Sequence, residues 1–157
     1  VPGTIVKGKN ASYYCAFENK LVVRVYNVNN VDTTTIMYYD DGTVVPHYVG
    51  LGGTIATKTE DLVRVFQEAL TQKEIDILKS KISYLLMLNI VADKQGNTLE
   101  ITFSFRNNDP VMTKFDPDRL YQLEQNLKKV LKLNPSKADS SIKNMKYIQA
   151  ISYKDLK

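Results

Sequence analysis

The stretch from Tyr84 to Tyr153 constrains the fold most, because its apolar residues switch from strand period to helix period and back. Two apolar runs, Tyr84–Ala92 and Thr98–Phe105, flank the turn Asp93-Lys94-Gln95-Gly96-Asn97. In the first run Leu86, Leu88 and Ile90 alternate with Leu85, Met87 and Asn89, and both faces are partly apolar. That pattern suits a central, covered strand. In the second, Leu99, Ile101, Phe103 and Phe105 alternate with Thr98, Glu100, Thr102 and Ser104, which gives one buried and one wet face. A helix is then predicted from Pro117 to about Leu133. Asp116 is its N-cap, Pro117 fits the first helical position, and Phe115 and Leu120 form a hydrophobic staple. Leu120, Leu123, Leu127, Val130 and Leu131 make one stripe, and Asn134-Pro135 ends the helix. Met145–Tyr153 returns as a strand with Tyr147, Gln149, Ile151 and Tyr153 on one face.

Upstream, Val1 to Ala11 reads as an irregular lead-in, followed by strands at Ser12–Phe17 and Leu21–Val28. Thr33–Tyr39 and Thr43–Val49 form a predicted hairpin about Asp40-Asp41-Gly42, with Pro46 marking an edge or a bulge. Gly50-Leu51-Gly52-Gly53 is a joint whose spacing fits no phosphate-binding loop. A helix should start near Thr57 or Thr59, either of which can cap it, with Leu62, Val65, Phe66 and Ala69 on one face. Thr71-Gln72-Lys73-Glu74 is a capping box for a second short helix with Ile75, Leu78 and Ile82 inward. The expectation is an α+β domain spanning residues 1–157: an antiparallel sheet from two hairpin-helix halves, with helices near 58–82 and 117–133 packed on one face. The halves, 12–82 and 84–157, are loosely alike.

The chemistry is sparse. Cys15 is the one cysteine of 157 residues, so no intramolecular disulfide forms, and its apolar neighbours suit a buried thiol. The one histidine, His47, has no second histidine or cysteine near it in sequence to complete a metal site. Asp40, Asp41, Asp93, Asp116 and Asp118 each have a turn or cap role. No cofactor is called for. Ten tyrosines without a tryptophan include Tyr13-Tyr14 and Tyr38-Tyr39, whose adjacent rings fall on opposite sheet faces. The net charge of +4 is a modest basic excess, with lysines gathered from Lys128 to Lys157. No run approaches the ~18 apolar residues of a membrane-spanning helix. A start at Val1 instead of a methionine reads as a processed or trimmed end.

Leu86–Tyr153 resembles the C-terminal domain of TonB-type envelope proteins. The resemblance rests on the strand ending in Asp93-Lys94-Gln95-Gly96-Asn97, the next strand, the capped helix with Leu120, Leu123 and Leu127, then Leu133-Asn134-Pro135 and the late strand. Small secreted domains from Gram-negative gut anaerobes look similar. The family's usual aromatic-Lys-Pro at the helix end is replaced here by Leu133-Asn134-Pro135. The resemblance implies a periplasmic or secreted, non-enzymatic interaction domain that binds a protein or peptide by adding a strand to a sheet edge. That edge is Met145–Tyr153, with Tyr147, Gln149, Ile151 and Tyr153 as binding residues; substitution of Ile151 is expected to abolish binding without unfolding the domain. The alternatives are a basic binder of nucleic acid or anionic surfaces, and a hydrolase centred on His47.

Overall fold

Strand-period alternation at both ends of the chain builds one antiparallel sheet. The computed structural model describes residues 3–47 and 49–157. In chain order the elements are β1 (Thr4–Lys7), β2 (Ser12–Phe17), β3 (Val22–Asn27), β4 (Thr54–Ile55), α1 (Thr59–Glu68), α2 (Gln72–Lys79), β5 (Leu85–Ala92), β6 (Thr98–Arg106), α3 (Pro117–Val130), β7 (Leu133–Asn134) and β8 (Met145–Ser152). Six strands pair in the order β1-β2-β3-β6-β5-β8, and β4 pairs with β7 apart from them. The fold is α+β.

One sheet face carries Val23, Val25, Phe103, Phe105, Leu86, Leu88, Ile90 and Ile151, all buried. Leu120, Leu123 and Leu127 of α3 and Leu62 and Phe66 of α1 belong to the same core, so the helices cover this face. The Asp116 carboxylate accepts from the Asp118 N–H, as a cap should, and the Thr71–Glu74 capping box is complete. In the turn after β5 the Asp93 carboxylate accepts from the amides of Gln95 and Asn97, and Gly96 sits at φ 86°. Only glycine suits that position. Its φ is left-handed, and a Cβ there would lie 2.1 Å from the Leu133 carbonyl oxygen.

Several expectations need correction. The lead-in is not wholly irregular: Thr4–Lys7 adds an edge strand, its β-prone Thr-Ile-Val hidden in sequence between flanking glycines (Val1 and Pro2 lie outside the described residues). The hairpin of Thr33–Tyr39 with Thr43–Val49 forms only next to its turn among the described residues: Tyr38 bridges Val44, the Tyr39 N–H donates to the Thr43 carbonyl and the Val45 N–H to the Met37 carbonyl; Tyr48 lies outside them. The Asp41-Gly42 turn does form, and on their other side Tyr38 and Tyr39 also pair with the chain before β8, through Tyr39–Ile142 and Lys143 N–H to the Tyr38 carbonyl. Neither Thr57 nor Thr59 caps α1; Lys58 holds that position without a side-chain bond. The Thr57 hydroxyl instead donates to the Val130 carbonyl at 2.6 Å and accepts from the Lys132 N–H. The second short helix ends at Lys79, which leaves Ile82 exposed, and α3 ends at Val130 because Leu133 turns away to join β4.

Candidate functional site

β8 is an edge strand, paired with β5 on one side only. The phase of that pairing decides what the edge offers. The Tyr153 N–H donates to the Tyr84 carbonyl at 3.1 Å, and antiparallel pairs alternate between bonded and non-bonded. Met145, Tyr147, Gln149 and Ile151 therefore spend their backbone groups on β5. Lys146, Ile148, Ala150 and Ser152 turn theirs off the sheet. Among the described residues, no backbone hydrogen bond reaches the outward groups of Lys146, Ile148 and Ala150, while Ser152 opens the 3-10 turn Tyr153–Asp155. The Gln149 amide nitrogen donates to the Ala150 carbonyl at 2.8 Å, which blunts one of them. At one end Lys146 is engaged by the Asp32 carboxylate and the Thr34 carbonyl. Ile148, mid-edge, is 64% exposed.

The four residues expected to bind thus share a face, but it is the helix-covered one. Tyr147, Ile151 and Tyr153 are core side chains, and Gln149 is half-buried. The Tyr153 ring stacks on Phe66 at 6.0 Å, and its hydroxyl donates to the buried Asp109 carboxylate at 2.5 Å. Burial, then the Asp109 charge, pushes the Tyr153 phenol far above its ordinary range. Burial also raises the Tyr147 phenol, with the Asp139 charge adding to it. Removing the Ile151 side chain would open the core, so that residue cannot test the edge. The edge is instead read from Lys146, Ile148, Ala150 and Ser152. Alternation in the sequence separates these two sets, but not which of them the helices cover.

The other candidates are dispersed. His47 is exposed, in the irregular segment before β4. Asp40 pairs with Lys94, and Asp118 accepts the Lys9 N–H at 2.6 Å. Two hydrogen bonds from Thr43 hold the Asp41 carboxyl below its usual range. Among the described residues no group of three or more His, Cys, Asp or Glu side chains is placed to hold a metal ion, and no helix is long and apolar enough to cross a membrane. Cys15 is half-buried, and burial pushes its thiol up. It borders an apolar cleft of about 440 Å³ between the outer strands and the start of α3, lined also by Val6, Phe17, Val23, Met112 and Phe115. Of the clustered lysines, Lys128 lies 3.7 Å from Glu124, Lys132 donates to Asn97 at 3.3 Å, and Lys129, Lys137, Lys143 and Lys154 are exposed.

No protein-family model matches the chain, and no curated protein matches it. Among solved structures, the fold is similar to a DUF5043 family protein from Bacteroides uniformis ATCC 8492. The TM-score is 0.76, over 98% of this chain and 92% of that one, at 16% sequence identity. At that identity the likeness shows the fold alone.

Proposed function

We propose that this chain is a non-enzymatic interaction domain, exported to the periplasm or cell envelope, that takes a strand of a protein or peptide partner onto β8. The observation that carries the reading is the outward backbone of Lys146, Ile148, Ala150 and Ser152, with exposed Ile148 at its centre. An added strand would pair its backbone with these groups and pack a side chain against Ile148. Such edges are normally covered or charged, and this one is guarded only at the Lys146 end and by Gln149. The TonB-like pattern of Leu86–Tyr153 supports the same mode and compartment.

The test uses the native protein in its own cells. A photocrosslinking residue in place of Ile148 should give a discrete adduct in the envelope fraction. The same probe in place of exposed Leu99, on β6, should not. Equal labelling from both positions, or an unprocessed cytosolic species by intact mass, would contradict the reading. A second reading, binding of anionic surfaces, draws on exposed Lys129, Lys137, Lys143 and Lys154. It requires affinity that falls steeply with salt.

A further inference from the structure

The sheet face opposite the helices carries two arginines without acidic partners. Arg24 of β3 lies opposite Ser104 of β6, and Arg106 lies opposite Val22, so the two guanidinium side chains are diagonal neighbours on one face. Among the described residues neither forms an ion pair. Like charges at such spacing repel, and a half-covered surface screens them less than open water does.

Both are held in place. Arg24 lies over the Tyr26 ring at 5.7 Å and donates to the Thr33 carbonyl at 2.9 Å. Arg106 lies over the Tyr84 ring at 5.0 Å, and Lys81 approaches the same ring at 5.9 Å. The Nε atoms of both arginines are buried without a hydrogen-bond partner, so each guanidinium has a donor that a ligand could take. Arg24 lines a hollow of about 180 Å³ beneath the 31–37 segment, and Arg106 lines a second of about 290 Å³. Ser104, 3% exposed, lies at the second hollow and accepts from Asn89 at 3.2 Å, which frees its own proton for donation.

The acids on this face are mostly committed. Asp32 holds Lys146, and the Glu100 carboxylate accepts the amides of Val31 and Asp32. Glu18 remains. It is exposed in the turn between β2 and β3, borders both hollows, and forms no ion pair among the described residues.

We propose that this face binds a small oxyanion, a carboxylate or phosphate compound, between Arg24 and Arg106, with Glu18 as a built-in competitor. Planar guanidinium groups suit oxyanions because they present paired donors in a fixed fork.

The experiment is calorimetric titration of the whole chain with citrate and, separately, pyrophosphate at low ionic strength. At least one should bind. Arg24→Gln and Arg106→Gln should each weaken it by about tenfold or more, as loss of a charge-assisted hydrogen bond does. Glu18→Gln keeps both arginines and changes only an exposed turn residue, so it remains informative if an arginine variant folds poorly; it should tighten binding about threefold. Binding of citrate alone assigns the site to carboxylates, and of pyrophosphate alone to phosphates. No binding of either, or binding unmoved by all three substitutions, overturns the proposal. None of these residues belongs to β8, so failure here leaves the strand-addition reading untouched.

Discussion

The Tyr13 hydroxyl donates a 2.6 Å hydrogen bond to Glu124 Oε1 inside the core, tying β2 to α3. Glu124 is fully buried; Asn27 reaches the same oxygen at 3.4 Å, and Lys128 stands 3.7 Å from the other, which has no hydrogen bond. The tie is therefore one strong bond on an otherwise thinly partnered acid. Tyr13→Phe should cost about 1–3 kcal/mol of stability, because it leaves a buried carboxylate short of a donor. Urea unfolding measures this. Glu124→Gln, which keeps an acceptor and removes the charge, should cost less.

Alkaline pH should expose the same design. Burial, reinforced by Glu124, holds the Tyr13 phenol far above its ordinary pKa, and Tyr153 behaves alike beside Asp109. The raised folded pKa means the native state keeps protons that the unfolded chain loses above pH ~10. Stability from each tyrosine is complete below that pH and declines above it by about 1–2 kcal/mol per pH unit. Unfolding at stepped pH should show a shallower decline in Tyr13→Phe than in the wild type.

A second electrostatic clasp works at the acid end. Arg119 of α3 donates through both terminal nitrogens to Glu74 of α2, at 2.6 and 3.1 Å, and to the Ala69 carbonyl at the end of α1. These bonds hold the Glu74 carboxyl at about 2, below the ordinary 4.5. Its stabilisation is present above the unfolded pKa and is lost as pH falls from about 4.5 towards 2. The pair is partly solvated, so Arg119→Leu should cost about 1–2 kcal/mol at neutral pH and flatten the acid limb of the stability curve. Arg119→Lys should rescue it incompletely, since a lysine cannot make both bonds and the contact over Phe115 at 4.4 Å.

Neighbouring β8 positions should respond in opposite ways. Ile151 is fully buried and Ile148 is 64% exposed. Ile151→Asp should unfold the domain or cost more than ~3 kcal/mol, whereas Ile148→Asp should stay within about 0.5 kcal/mol of the wild type. Thermal melting distinguishes them.

The hairpin, capped helix and last strand were legible because each signal is local: alternation, the Asp93–Asn97 turn, the Asp116-Pro117 start. What sequence could not show depends on distant partners. Thr57 resembles a cap until Val130 and Lys132 take its hydroxyl. The Thr33–Val49 hairpin closes only near its turn, and the added pairing of Tyr38 and Tyr39 with Ile142 and Lys143 carries no local signal. The edge at β8 was readable as an edge, but alternation assigns faces without saying which one the helices cover. Hence sequence assigns Tyr147 and Ile151 to the edge, while in space they lie in the core and Ile148 is the exposed residue. The Arg24–Arg106 pair was invisible for the same reason: the two residues lie 82 positions apart, on strands that the sheet sets side by side.

The most direct measurement is residue-resolved amide hydrogen exchange along β8, with and without the partner captured through Ile148. Strand addition at β8 predicts that the free protein protects Tyr147, Gln149 and Ile151, whose amides bond β5, and leaves Ile148 and Ala150 open. With the partner bound, Ile148 and Ala150 should become protected as well, so that protection runs continuously along β8. Unchanged exchange at Ile148 and Ala150 in the complex would contradict strand addition at this edge.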